Sequence, residues 1–122
     1  MKYILVLTVL LLISTSLHSE ENDGNELLSQ CNETIRYLDG ATEVDIDDGL
    51  QCLNYLHGLN DALRVWQAVG NTPITCLPPA LSNGQAARVL VVYAKNHPAI
   101  LHQVKSLVAI MAYQDSFPCE DL

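Results

Sequence analysis

The chain has 122 residues, room for one domain, and its fourteen acidic side chains outnumber its six lysines and arginines. The net charge of −8 argues against nucleic-acid binding, which requires a basic surface. An acidic surface either attracts basic protein partners or serves only to keep the protein in solution.

The N-terminal residues are typical of a secretory signal peptide. Lys2 precedes an almost uninterrupted apolar run over residues 4–13. That run is too short to cross a bilayer, which takes about 20 apolar residues. We therefore predict a signal peptide over residues 1–19, with cleavage after Ser16 as the alternative, and one mature domain over residues 20–122. No second long apolar run follows, so no membrane-spanning segment is expected after cleavage.

Four cysteines remain after such cleavage, and they predict disulfide bonds. An even number of cysteines in a short exported chain is typical of a disulfide framework. No pair has the two-residue spacing of a zinc site, and the longer separations match no common zinc module. The four are Cys31, Cys52, Cys76 and Cys119.

Apolar residues recur at helical spacing in four segments, and no strand-like alternation persists. The first two predicted helices cover residues 25–38 and 47–69 and are joined by an acidic linker. The third begins with a capping box and covers residues 82–95. The fourth has proline at its first position and covers residues 98–114. The predicted fold class is all-α, a compact bundle of four main helices with two disulfides.

This arrangement selects one disulfide pairing. The first two helices should be antiparallel neighbours across their short linker. At about 1.5 Å per residue, Cys31 and Cys52 then lie at similar depth in the two helices. Cys76 precedes the third helix and Cys119 follows the fourth, so both lie at the open end of that hairpin. We therefore predict the bonds Cys31–Cys52 and Cys76–Cys119.

Single residues carry further expectations about the first two helices. Gly40 should end the first helix in a left-handed conformation. Gly58, in the middle of the second helix, should allow close approach of another backbone. Trp66 lies on the apolar stripe of that helix and is predicted in the core, with a partner contact as the alternative. Asn60 falls on the predicted polar face.

The third and fourth helices carry more apolar residues than one buried face needs. The third contains the run 89–93, and the fourth is apolar on most sides. Two interpretations follow. The excess forms a protein–protein surface, such as that of a homodimer, or one of these helices is central to the monomer.

The residues that commonly carry catalysis form no recognisable constellation. The three histidines of the mature chain, His57, His97 and His102, share no motif or helical face. The acidic run 43–48 lacks the spacing and the closing glutamate of a calcium loop. We therefore predict a protein that is not an enzyme and that uses no cofactor or metal.

An ordered set of short motifs resembles the Rap/Tai family of immunity proteins, which are linked to bacterial type VI secretion. The resemblance covers residues 27–119. The motifs comprise Cys52 with Tyr55-Leu56-His57-Gly58 and Asp61-Ala62, then Cys76-Leu77-Pro78 and Gln85, then Lys95-Asn96-His97-Pro98, and finally Phe117-Pro118-Cys119.

The resemblance implies a periplasmic, helical, disulfide-bonded protein that is often dimeric. It also implies a partner, a peptidoglycan amidase effector with a Cys–His active site in a cleft. Inhibition in this family comes from plugging that cleft with a loop or a helix. The matched positions, namely the cysteines, Gly58 and Pro98, have a structural character and identify no effector contact.

Two exposed segments are therefore the candidate contact surfaces. The first is the acidic linker, and the second is the loop over residues 70–75, which Cys76 fixes at one end. The candidate contact residues are Glu43, Asp45, Asp47 and Asp48 in the linker and Asn71 and Thr72 in the loop.

Two other functions compete with immunity. Periplasmic acid-stress chaperones of the HdeA-like kind are also small, helical and disulfide-bonded, and fourteen carboxylates would allow a large charge change on acidification. The second predicted disulfide and the ordered motifs count against that interpretation. An orphan member of the family that binds another envelope protein is the remaining alternative.

Overall fold

The computed structural model describes residues 22–120, and this part of the chain contains four α-helices. The predicted all-α bundle is confirmed, while the predicted signal peptide lies outside the described residues. The helices are α1 (Gly24–Leu38), α2 (Ile46–Ala68), α3 (Asn83–Asn96) and α4 (Lys105–Ser116).

Polar side chains begin the first three helices. The Asp23 carboxylate accepts two backbone N–H groups from the first turn of α1, and Asp45 accepts one in α2. Ser82 and Gln85 form the predicted capping box at α3, with reciprocal bonds of 3.1 and 3.0 Å. Each bond satisfies a backbone group that a helix start otherwise leaves without a partner.

Glycines with positive φ follow α1 and α2. Gly40 has φ +90° and Gly70 has φ +89°, a conformation that costs glycine little because it lacks Cβ. The predicted left-handed residue after the first helix is thus confirmed.

Helices α1 and α3 form the centre of the bundle, because each contacts all three other helices, and α2 and α4 pack on the outside. The excess apolar residues of the third helix are therefore largely buried within the monomer, although Val92 remains exposed. The largest fully buried residues come from all four helices, namely Leu27, Leu56, Leu90, Val108 and Tyr113.

The predicted start of the fourth helix is wrong. Pro98–Ile100 forms a short 3₁₀ turn, and α4 begins only at Lys105. The intervening backbone bonds instead to the start of α1, where the Gln103 carbonyl accepts the Gly24 N–H at 2.9 Å. A Cβ at Gly24 would lie 2.9 Å from the Leu101 carbonyl oxygen, so this close contact requires glycine.

Three expectations for α2 are also wrong. A Cβ at Gly58 would meet nothing within 4 Å, so this glycine permits no close approach. Asn60 is buried, with 4% of its surface exposed, whereas Trp66 is 47% exposed. The exposure of Trp66 follows from length, because α2 has 23 residues and its neighbour α1 has 15. The last turns of α2 extend beyond α1.

Both predicted disulfides are confirmed. Cys31–Cys52 joins α1 to α2, and Cys76–Cys119 joins the segment before α3 to the segment after α4. The Cα atoms are 5.0 Å apart in each bond. The first bond lies in the core, and the second fastens the C-terminal segment.

Candidate partner-binding surfaces

A groove of about 260 Å³ lies where the end of α1 meets the start of α2. The helices approach closely beneath it, because the Thr34 hydroxyl donates to the Gly49 carbonyl at 2.8 Å. Four of the large apolar side chains in its lining are between 47% and 65% exposed. The apolar lining comprises Tyr37, Leu38, Val44, Ile46, Leu50 and Leu53.

Two carboxylates line this groove, Glu33, which pairs with Arg36, and Asp45, and others lie on the linker beside it. Asp45 contributes to the lining itself, and Glu43 and Asp47 are exposed beside it along the linker. None of these three forms an ion pair within residues 22–120. We call the groove and these three residues the acid-rimmed groove. The nearby cation, Arg36, pairs with Glu33, so these three carboxylates leave the local potential negative.

The fourth predicted carboxylate faces elsewhere. Asp48 is half-buried and lines a separate polar depression with Glu26 and Gln51. Its backbone N–H bonds to Asp45 at 3.0 Å. Of the four predicted linker carboxylates, Asp45 thus lines the groove, Glu43 and Asp47 are exposed on residues next to its lining, and Asp48 lines the separate depression.

Side chains of α1 fix the linker backbone. Arg36 donates to the Glu43 carbonyl at 2.6 Å, and the Asp45 N–H donates to the Glu33 carboxylate at 2.8 Å. Arg36 and Glu33 also form an ion pair of 2.7 Å. The Asp45 N–H, and then Arg36, lower the pKa of Glu33. The linker thus presents its side chains from a backbone that two residues of α1 hold in place.

The second predicted segment, residues 70–75, lies beside the exposed end of α2. Asn71 and Thr72 are exposed. The Trp66 indole N–H donates to the Thr72 carbonyl at 3.0 Å, and the Gln114 amide donates to the Ile74 carbonyl at 3.1 Å. Four large apolar side chains are exposed here, namely Val65, Trp66, Val69 and Ile74. We call these four and the loop the Trp66 surface.

The histidines lie on separate elements. His57 pairs with Asp61 at 3.4 Å on α2, and both side chains are more than 60% exposed. His97 stacks on Tyr93 after α3, and His102 lies in the turn before α4. In the part of the chain that the structure describes, no group of three or more His, Cys, Asp or Glu residues is placed to hold a metal. No helix among residues 22–120 has the length and apolar character that crossing a membrane needs.

Comparison with known protein families identifies the family of the chain that carries these surfaces. The family model of the Rap1a immunity proteins matches residues 23–119, which is most of the chain. The chain belongs to this family. The matched span of this Rap1a immunity protein contains both disulfides and both surfaces, and the resemblance drawn from its motifs is confirmed. No curated protein and no solved structure gives a significant match.

Membership of the Rap1a immunity proteins implies a protein effector as the partner. Sequence reasoning identified the carboxylates of the acid-rimmed groove but missed its apolar lining. One signal was present, because Val44 and Ile46 alternate with acidic residues in the linker. Such alternation places apolar groups on an otherwise charged exposed segment. The remaining lining comes from the exposed ends of two helices, which no local pattern marks.

Proposed function

We propose that the protein neutralises a peptidoglycan amidase effector, delivered by type VI secretion, by covering the catalytic cleft of that effector. The observation that carries this proposal is the match of the Rap1a immunity family over residues 23–119. A Cys–His amidase in a cleft needs access to its polymeric substrate. A tightly bound protein removes that access without any chemical step of its own.

The two surfaces described above are the alternative candidates for this contact. The linker offers Glu43, Asp45 and Asp47, with Asp48 at its edge, and the loop offers Asn71 and Thr72. Both segments lie on firmly bonded backbone, which lowers the ordering cost on binding. A rigid, exposed segment is the physical requirement for entering a cleft.

The proposed location is the periplasm, after cleavage of the predicted signal peptide. Two disulfides support it, because such bonds form and persist in oxidising compartments. The cell wall that an amidase attacks lies in the same compartment.

We also propose a homodimer. The large apolar side chains of the third and fourth helical regions that stay exposed are Val92, Val104 and Leu107. A second copy is the partner proposed to cover them. Sedimentation velocity of the oxidised protein would give the mass of a dimer, and Leu107→Lys would shift it to that of the monomer. A monomer at all concentrations would reject this part of the proposal.

The deciding experiment uses the oxidised protein, residues 20–122, to retain partners from the envelope and secreted fractions of its own cell. We expect one tight partner, an amidase with a Cys–His site, whose peptidoglycan hydrolysis stops at a one-to-one ratio. Broad retention of unfolded proteins after acidification, with no specific partner at neutral pH, would instead support the acid-stress chaperone.

A further inference from the structure

We propose that the acid-rimmed groove is the recognition site for the effector, and that it takes an apolar side chain flanked by lysine or arginine. This inference rests on the proposed function and goes further, because it selects one of two exposed surfaces and states the chemistry of the partner segment. Its basis is that an apolar lining and unpaired carboxylates lie next to each other.

The size of the groove favours a side chain over a small molecule. Pockets for small ligands usually hold about 300–1,000 Å³, and this groove holds about 260 Å³. It is also open, because Ile46 and Leu50 are exposed. A shallow apolar depression of this size accommodates one protruding side chain, which is how protein partners commonly form their strongest contacts.

The charge of the rim selects a cationic partner and disfavours a second copy of this chain. In a two-fold contact the same patch would meet itself. Glu43, Asp45 and Asp47 would then oppose their own copies, and like charges across an interface are unfavourable. A segment with lysine or arginine beside its apolar residue meets complementary charge instead.

The linker is also preformed for this contact. Arg36 and Glu33 hold its backbone through bonds of 2.6 and 2.8 Å. Those bonds involve the backbone carbonyl of Glu43 and the backbone N–H of Asp45, so the Glu43 carboxylate takes no part in them. The partner therefore meets carboxylates carried by a backbone that is already fixed, which lowers the ordering cost of binding.

The test compares two Lys substitutions near opposite ends of α2, one in its first turns and one directly after its last residue. Leu50→Lys introduces a charged chain into the groove, and Val69→Lys makes the matched change on the Trp66 surface. The parent side chains are 50% and 69% exposed, so neither change opens the core. The probe is the amidase retained by the wild-type protein, and the dissociation constant is measured with each variant. Thermal unfolding of each variant serves as the check on folding.

We expect Leu50→Lys to weaken binding by about tenfold or more, and Val69→Lys to stay within about twofold of wild type. The double variant Glu43→Lys/Asp47→Lys should lower the association rate by about tenfold at low salt. Its charge-matched control is Asp61→Lys/Glu120→Lys, at two exposed carboxylates outside both surfaces, which should leave that rate unchanged.

Two results would overturn the inference, and they are distinguishable. If wild-type protein binds its amidase and Leu50→Lys binds equally well, or if only Val69→Lys fails, the groove is not the recognition site while the proposed function stands. If wild-type protein retains no amidase, the proposed function fails and the inference fails with it.

Discussion

The acid-rimmed groove and the Trp66 surface lie near opposite ends of α2. Twenty residues separate Ile46 from Trp66, which corresponds to about 30 Å along the helix axis. Each surface exposes four large apolar side chains. They differ in charge, because three carboxylates border the groove, whereas the Trp66 surface contains no charged residue of its own. Equal apolar exposure therefore does not make two surfaces equivalent, and charge decides which partner each can accept.

The largest expected difference concerns the disulfide beside each region. Replacing Cys31 and Cys52 by Ala should lower the free energy of unfolding by about 4 kcal/mol, and the same change at Cys76 and Cys119 by about 3 kcal/mol. Chain entropy favours the longer loop, of 43 rather than 21 residues, by about 0.6 kcal/mol. Burial outweighs that term, because Cys31 and Cys52 are fully buried and their removal leaves cavities costing about 1 kcal/mol each.

Urea unfolding of both double variants measures this difference. The affinity for the amidase distinguishes the two double variants further. Only the removal of Cys31–Cys52, which lies beside the groove, should weaken the complex. A larger loss of stability at Cys76 and Cys119 would mean that loop closure dominates over core packing.

The next largest effect is the salt dependence of the association rate, which should distinguish the two surfaces. Raising the salt concentration from about 0.1 M to about 1 M shortens the Debye length from about 10 Å to about 3 Å. If the groove is the site, the association rate with the amidase should fall by about tenfold and the dissociation rate should change little. Stopped-flow mixing measures both rates. A flat salt profile would favour the uncharged Trp66 surface.

A smaller effect is expected at Trp66 itself. Trp66→Phe keeps an aromatic ring but removes the indole N–H that bonds to Thr72 at 3.0 Å. We expect a loss of about 1 kcal/mol or less in unfolding free energy, faster amide exchange in residues 70–75 and unchanged affinity for the amidase. Exchange rates equal to those of wild type would show that this bond does not order the loop.

The smallest effect is a pH dependence at the groove. The Asp45 N–H and Arg36 lower the pKa of Glu33 below its ordinary value of 4.5. A carboxyl with a lowered folded-state pKa stabilises the fold above its unfolded pKa, and that contribution is lost as the pH falls through the folded value. The melting temperature should therefore decline between about pH 5 and about pH 3, and Glu33→Gln should flatten the decline. Thermal melts across that range would contradict the assignment if the two curves ran parallel.

Local signals in the sequence predicted much of the bundle. Four helices, the capping box at Ser82, the positive φ of Gly40 and both disulfide pairs depend on short-range patterns or on the hairpin arrangement. The turn before α4 could not be predicted in this way. The Leu101 carbonyl accepts from the Asn25 side chain, 76 residues earlier, and no local pattern contains both partners.

The sequence predicted the charged part of the candidate site but not its apolar part, for a related reason. Its carboxylates cluster within residues 43–48, so local composition alone indicated them. The groove exists because Leu38 and Leu50 come together from two helices at an exposed junction. Likewise, the exposure of Trp66 depends on the relative lengths of α1 and α2, which its own apolar stripe does not encode.

The way α1 holds the linker has a consequence for how this protein can diverge. Arg36 and Glu33 bond to a backbone carbonyl and a backbone N–H, groups that every residue but proline provides. Substitutions at positions 43, 44 and 47 can therefore change the side chains of the linker while its backbone course stays fixed. If the groove is the recognition site, a single mutation there can restore complementarity to an altered effector with no accompanying loss of fold. The residues that hold the linker are thus different from the residues whose side chains it exposes. Such a division allows the binding specificity of an immunity protein to change while its fold is kept.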